Sequence, residues 1–267
     1  MNFGFIEDIH DLRAYISGYS KVPWVPFLEP HESWEKWLPK YENQTTRQGE
    51  ETSGCTVHGS QNQAEILLQY LYGGEPNFSE RYNYNLIPII PGRGGDPHKA
   101  HESIREYGVI DERYLPMTDS LREYTNKEAI TKSLIARGIA WTRVHDYKHE
   151  YVWQPNKRPD NWKQLLVDAL QTSPIAVSVT AWEERDGYYM SDMGGNNHYC
   201  VLYEIEDDGT MWVFDSYDHS RKRLHPDHNI RRAKRIWINR KTARASRSMI
   251  ELLKDVINRL TMKPTLL

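Results

Sequence analysis

From Thr56 the apolar residues fall at helical spacing. Ala64, Ile66, Leu67, Leu68, Tyr70 and Leu71 recur on this period, and Gly73-Gly74 supplies the stop. Both faces of the stretch are partly apolar, so a central helix is expected. Residues 86–91 form a short apolar run between turn signals. Pro97–Tyr107 reads as a second helix, closed by Gly108 at the left-handed cap position. Asn126 precedes a third helix through about Ala136, with Gly138 as its stop. Pro159-Asp160-Asn161 caps a fourth, Trp162–Leu170.

The period then switches from 3.6 to 2. Residues 175–181 read as a strand. Residues 199–204 and 210–214 read as two more, joined by Asp207-Asp208-Gly209 in a hairpin. Residues 235–238 form another. A last amphipathic helix, 246–262, gathers Met249, Ile250, Leu253, Val256, Ile257 and Leu260 on one side.

Helices fill the first half and strands the second, an α+β order with two lobes. Residues 1–43, broken by Pro23, Pro26 and Pro30 and rich in Trp, read as an N-terminal arm anchored by aromatics. The expected domain is 44–267, with a helical lobe at about 44–140 and a β lobe at about 141–240.

Composition narrows the function classes. At 267 residues the chain can bury a real core. A net charge of -3 argues against a nucleic-acid partner. The basic stretch 231–247 therefore reads as a solvated connection. The 9 Trp and 17 Tyr point to core and lobe-interface packing. Two cysteines cannot make a disulfide framework, so no oxidising compartment is needed. Residues 1–8 lack a basic region followed by an apolar stretch, so no signal peptide is expected. No apolar run approaches the ~18 residues of a membrane span. The expectation is a cytoplasmic protein with no membrane partner.

The candidate chemistry starts with Cys55. Ser53-Gly54-Cys55 is a small-residue turn leading into a helix, where unpaired N–H groups and the helix dipole favour thiolate. The alternative is an inert buried cysteine, the reading preferred for Cys200 in its apolar strand run. His198 follows a Gly-Asn loop at the head of a strand. Asp215 ends the next strand, and the hairpin makes the two near neighbours. Each also has a plain alternative, a satisfied strand histidine and a solvent-facing Asp. His219, His225 and His228 fit no zinc spacing and read as a solvated loop. Gly92-Arg93-Gly94-Gly95-Asp96-Pro97 lacks the ending of a phosphate loop. It reads as an exposed backbone for an extended peptide, or as a turn before a helix.

Together these motifs resemble the papain family of cysteine peptidases. Residues 38–44 (LPKYENQ) are similar to the family segment ending in Asn-Gln, whose Gln donates to the oxyanion. Ser53-Gly54-Cys55 resembles its nucleophile turn. Gly94-Gly95-Asp96-Pro97 with residues 102–114 resembles its Gly-Gly substrate wall, helix and Tyr-Gly-Ile turn. Asn197-His198-Tyr199 matches its base, and Asp215-Ser216-Tyr217 falls where the family has Asn-Ser-Trp. The resemblance runs from about residue 38 to 238. It departs at Thr56, where Trp is usual, and at Asp215 and Tyr217. The gap from Gln44 to Cys55 is longer than usual; Gln48 would restore it, but Gln44 has the better context. The family's paired cysteines are missing, and the sequence looks like divergent phage-encoded or bacterial members.

The resemblance implies a papain-like two-lobe fold, a helical left lobe and an antiparallel β right lobe with the active site in the cleft between them. It implies a cysteine endopeptidase acting on a peptide or protein substrate without cofactor or metal. Cys55 would be the nucleophile, His198 the acid and base, and Asp215 its orienting group. Gln44 and the Cys55 N–H would hold the oxyanion. Gly94, Gly95, Asp96, Pro97 and Asn197 would contact substrate. Two other expectations stand beside it: a thiol transferase or transpeptidase using the same acyl-enzyme, and a papain fold kept for binding or virion structure.

Overall fold

The computed structural model describes residues 22–40, 42–155, 157–191, 195–217 and 221–241. The expected helix at 246–262, His219 and most of the N-terminal arm lie outside these residues. The described helices are α1 (Cys55–Tyr72), α2 (Glu80–Leu86), α3 (Pro97–Tyr107), α4 (Leu121–Tyr124), α5 (Lys132–Val144) and α6 (Trp162–Leu170). The strands are β1 (His145–Tyr151), β2 (Ile175–Val179), β3 (Glu183–Arg185), β4 (Tyr188–Met190), β5 (His198–Ile205), β6 (Met211–Phe214), β7 (Arg221–Leu224) and β8 (Ala233–Arg240).

Helix α1 is central: everything from Cys55 to Leu68 is buried, the polar His58, Gln61, Asn62 and Gln63 included. One side packs on β5, β2 and β8 and the other on α3 and α2. Ile66 and Leu67, almost wholly buried, each contribute roughly 1.5–3 kcal/mol of hydrophobic stabilisation. Gly73 ends the helix at φ 72°, its N–H donating to the Gln69 carbonyl. Helix α2 carries no apolar period in its sequence ERYNYNL and is held by a Ser79 cap and buried Tyr and Asn side chains.

Gly138 does not stop α5; it lies inside the helix. A Cβ there would stand 2.2 Å from the Tyr107 carbonyl oxygen and 2.4 Å from the Tyr82 hydroxyl. The glycine serves close approach of α5 to the end of α3.

The sheet order is β1-β8-β2-β5-β6-β7-β4-β3, antiparallel except at the single β4–β7 pair. The β5–β6 hairpin has Val201 opposite Phe214. That register puts His198, three residues before Val201, near Asp215, one after Phe214. Residues 221–224, expected in a solvated loop, form β7 instead, alternating exposed Arg221 with buried Lys222 and Leu224. Trp34 anchors the segment before the helical lobe. It has no exposed surface, its backbone N–H donates to the Tyr203 carbonyl at 2.9 Å, and its indole N–H donates to the Leu170 carbonyl at 2.7 Å. Phe27, Trp37 and Tyr70 pack edge-on or tilted around it. Among the described residues no helix is long and apolar enough to cross a membrane.

Candidate active site

Cys55 is the first residue of α1, behind a turn built from strained and small residues. Ser53 takes φ 59°, and its N–H donates to Glu51 Oε1 at 2.6 Å. A Cβ on Gly54 would crowd Thr52 Oγ1 at 3.0 Å, so a side chain there would have to push its neighbours aside. The thiol lies against Ala176 and Tyr199, and the Tyr199 backbone hydrogen-bonds it. Cys55 therefore sits beside the residue that follows His198.

His198 opens β5 and is buried. Its Nε2 is 2.8 Å from Asp215 Oδ1, which makes Nε2–H the donor and places the other proton-accepting position of a neutral ring at Nδ1. The ring is flanked by Trp182 at 5.4 Å and Tyr217 at 5.3 Å between centroids. Asp215 Oδ2 meets Lys222 Nζ at 3.2 Å. Lys222 in turn lies over the faces of Trp182 and Tyr189, at 5.2 and 5.3 Å. Sequence reasoning missed Lys222. The signal was its alternation with Leu224, one strand beyond Asp215.

Gln44 is buried beside the same carboxylate strand. Its N–H donates to the Ser216 carbonyl, and the Ser216 hydroxyl donates to Gln44 Oε1 at 2.9 Å. Its Nε2 donates to Glu51 Oε1 at 2.7 Å and to the Tyr217 hydroxyl at 3.1 Å. Gln48 is exposed, and its N–H donates to the Asp119 carbonyl instead. Glu51, a second missed residue, thus takes up donors from Gln44 and from Ser53 in the turn before Cys55.

The glycine segment divides. Gly94 spends both its N–H and its carbonyl on Ile90, so its backbone is not open to an extended ligand as expected. Asp96 caps α3, accepting from the N–H groups of His98 and Lys99, and Pro97 is the first helical residue. Gly95 faces the residue after Cys55: a Cβ there would be 2.8 Å from Thr56 Oγ1. The Asn197 side chain accepts from the Ala181 N–H and donates to the Ala181 carbonyl, fixing the segment beside His198.

Similar architectures are known. Digestive procathepsin L 3 of Tenebrio molitor larval midgut matches with a TM-score of 0.54 at 14% identity, over 80% of this chain and 73% of that one. The bromelain protease of Ananas comosus, in complex with E64, matches at 0.51 and 16% identity, over 81% of this chain and 100% of that one. This chain has the papain fold. The proform of the ragweed protease Amb a 11 is likewise similar, at 0.53 and 15% identity, over 83% of this chain and 69% of that one. No protein-family model matches the sequence, and no curated protein matches it.

Within the papain fold the electrostatics of this site are particular. Burial pushes the Cys55 thiol well above its ordinary range, and the charges of Glu51 and Asp215 push the same way. That reverses the expectation of a thiolate at the helix start: desolvation outweighs the dipole and the Tyr199 hydrogen bond. Cys55 and His198 have no exposed surface, so the groove between helices and sheet is closed over them.

Proposed function

We propose that the chain is a cysteine peptidase. The observation that carries this reading is the buried His198–Asp215 pair on adjacent strands, with the Cys55 thiol against Tyr199 from the facing helix. His198 Nδ1 takes the thiol proton as Cys55 Sγ attacks a peptide carbonyl carbon. The imidazolium returns that proton to the leaving amine. Water, deprotonated by His198, then cleaves the thioester and frees Cys55. Asp215 holds Nε2–H and supports the cation. The Cys55 N–H and Gln44 Nε2 receive the oxyanion, which requires Gln44 to let go of Glu51. Loss of one such donor typically costs roughly 10²–10³ in rate. Gly95, beside Thr56, would offer its backbone to an extended substrate.

The test is labelling by a peptidyl epoxide of the E64 type, read by intact mass, with a peptide library read in parallel. Labelling at Cys55 that disappears in Cys55→Ala and slows by orders of magnitude in His198→Ala, together with cleavage, supports the assignment. Neither labelling nor cleavage would overturn it. Product analysis with added amine separates hydrolysis from acyl transfer. One observation favours a second reading, a papain fold used for binding: both reacting groups are fully enclosed. That reading expects no labelling at any peptide concentration.

A further inference from the structure

Glu42, His58 and Glu80 come from three separate pieces of chain: the segment entering Gln44, the first turn of α1 and the first residue of α2. All three are at least nine-tenths buried. His58 Nδ1 lies 3.5 Å from Glu42 Oε2 and 4.0 Å from Glu80 Oε1. One ligand atom from each of the three residues falls within 4.8 Å of the other two.

Neither ring nitrogen of His58 makes a hydrogen bond, and Glu80 Oε1 makes none. A fully enclosed imidazole with both nitrogens unsatisfied is a rare and costly arrangement for a purely structural residue. Nearby carboxyls deepen the cost. Glu65, two turns on along α1, borders Glu42 while accepting from the Phe78 N–H. Of the side-chain charges acting on Glu80, those of Glu42 and Glu112 repel, and His58 is the one that attracts.

The spacing has the scale of a metal site. Four ligands ~2.1 Å from a tetrahedral ion stand ~3.4 Å apart along each edge. The two His58 separations, 3.5 and 4.0 Å, are near that value. A cavity of about 490 Å³, lined by Glu42, Glu80, Glu112, Asn77, Thr46 and Arg47, leads from the exterior to the carboxylates. Calcium and magnesium prefer oxygen ligands alone, whereas mixed imidazole and carboxylate at tetrahedral spacing suits zinc.

We propose that Glu42, His58 and Glu80 bind a divalent zinc-class cation, with Glu65 or a water as the fourth ligand. The ion ties residue 42, two before Gln44, to α1 three residues past Cys55 and to the start of α2. It therefore fixes the segment carrying Gln44 against the helix carrying Cys55. The inference stands apart from the peptidase reading, since its readouts need no substrate.

The test uses the full chain as Cys55→Ala, so that the thiol cannot take up zinc. Chelated protein is titrated with ZnCl₂, with metal content and Tm as readouts. The expected result is one equivalent of zinc and a Tm rise of about 5 °C or more at saturating metal. Glu80→Gln, which preserves volume, should weaken uptake at least tenfold, and His58→Ala should abolish it. Should His58→Ala not fold, Glu80→Gln carries the decision. No uptake, or uptake unchanged by Glu80→Gln, would overturn the proposal. So would an equal Tm rise with CaCl₂ or MgCl₂ in place of zinc.

Discussion

Lys222 Nζ lies 3.2 Å from Asp215 Oδ2, and both side chains are buried. Where the resembled family has a neutral Asn, this chain has a carboxylate with its own counter-charge. His198 thus faces a charge-balanced pair and not a bare anion. Removing only the ammonium leaves an uncompensated buried charge, which costs about 3–5 kcal/mol. Lys222→Met should destabilise by that order, and adding Asp215→Asn should recover most of the loss. Urea unfolding of the two singles and the double reads the coupling. Additive losses would refute the pairing.

The enclosed thiol should be sluggish. With its pKa raised by burial and by Glu51 and Asp215, Cys55 holds little thiolate at pH 7. In a Cys200→Ala background, iodoacetamide should label it slowly, with a rate still climbing above the ordinary thiol range. Glu51→Gln removes one of the opposing charges and should speed labelling several-fold at pH 8. Mass spectrometry over time measures both. An unchanged rate in Glu51→Gln would separate that carboxylate from the thiol.

His228 makes the fold acid-sensitive. Its Nδ1–H donates to the Tyr189 carbonyl and its Nε2 accepts from the Thr180 N–H, so the neutral ring is the one that fits. Burial lowers its pKa from 6.5 to about 4. The folded state therefore binds fewer protons than the unfolded one between these values. Its contribution is complete above pH 6.5 and is lost as pH falls toward 4. At about 1.4 kcal/mol per unit this amounts to ~3 kcal/mol. His228→Gln should flatten the fall in urea midpoint between pH 7 and 4.5. His149, lowered to about 3, extends the same trend to more acid solution.

Gly138→Ala sets two effects against each other. Helix propensity favours Ala by about 1 kcal/mol. The added methyl would collide with the Tyr107 carbonyl and the Tyr82 hydroxyl, and overpacking costs about 1–3 kcal/mol or more. The steric term wins because one of the colliding groups is backbone. The variant should unfold several degrees lower by calorimetry, whereas a stabilised variant would mean that α5 and α3 part easily.

Much of this was readable from local pattern. Helix α1, α3 with its Gly108 cap, α6 and the β5–β6 hairpin each carry their signal within a few residues. Cys55, His198 and Asp215 were legible because a turn and a hairpin announce them. The failures share a cause. Gly138 looked like a stop because its partner, Tyr107, is 31 residues away. His145–Tyr151 (HDYKHEY) reads as polar, yet its residues pair with residues 234–240 in the sheet. Lys222 sat in an Arg-Lys-Arg run that looked solvated until Asp215 gave it a counter-charge. Glu42, His58 and Glu80 are spaced too irregularly to form a motif and meet only in three dimensions.

Trp34 limits where the chain could be cut. With its indole bonded to Leu170 and its amide to Tyr203, the stretch around it is woven into the body of the molecule. A processing cut downstream of this ring would take away one of the largest buried side chains. Any trimming that leaves the fold intact must therefore fall nearer the beginning of the chain.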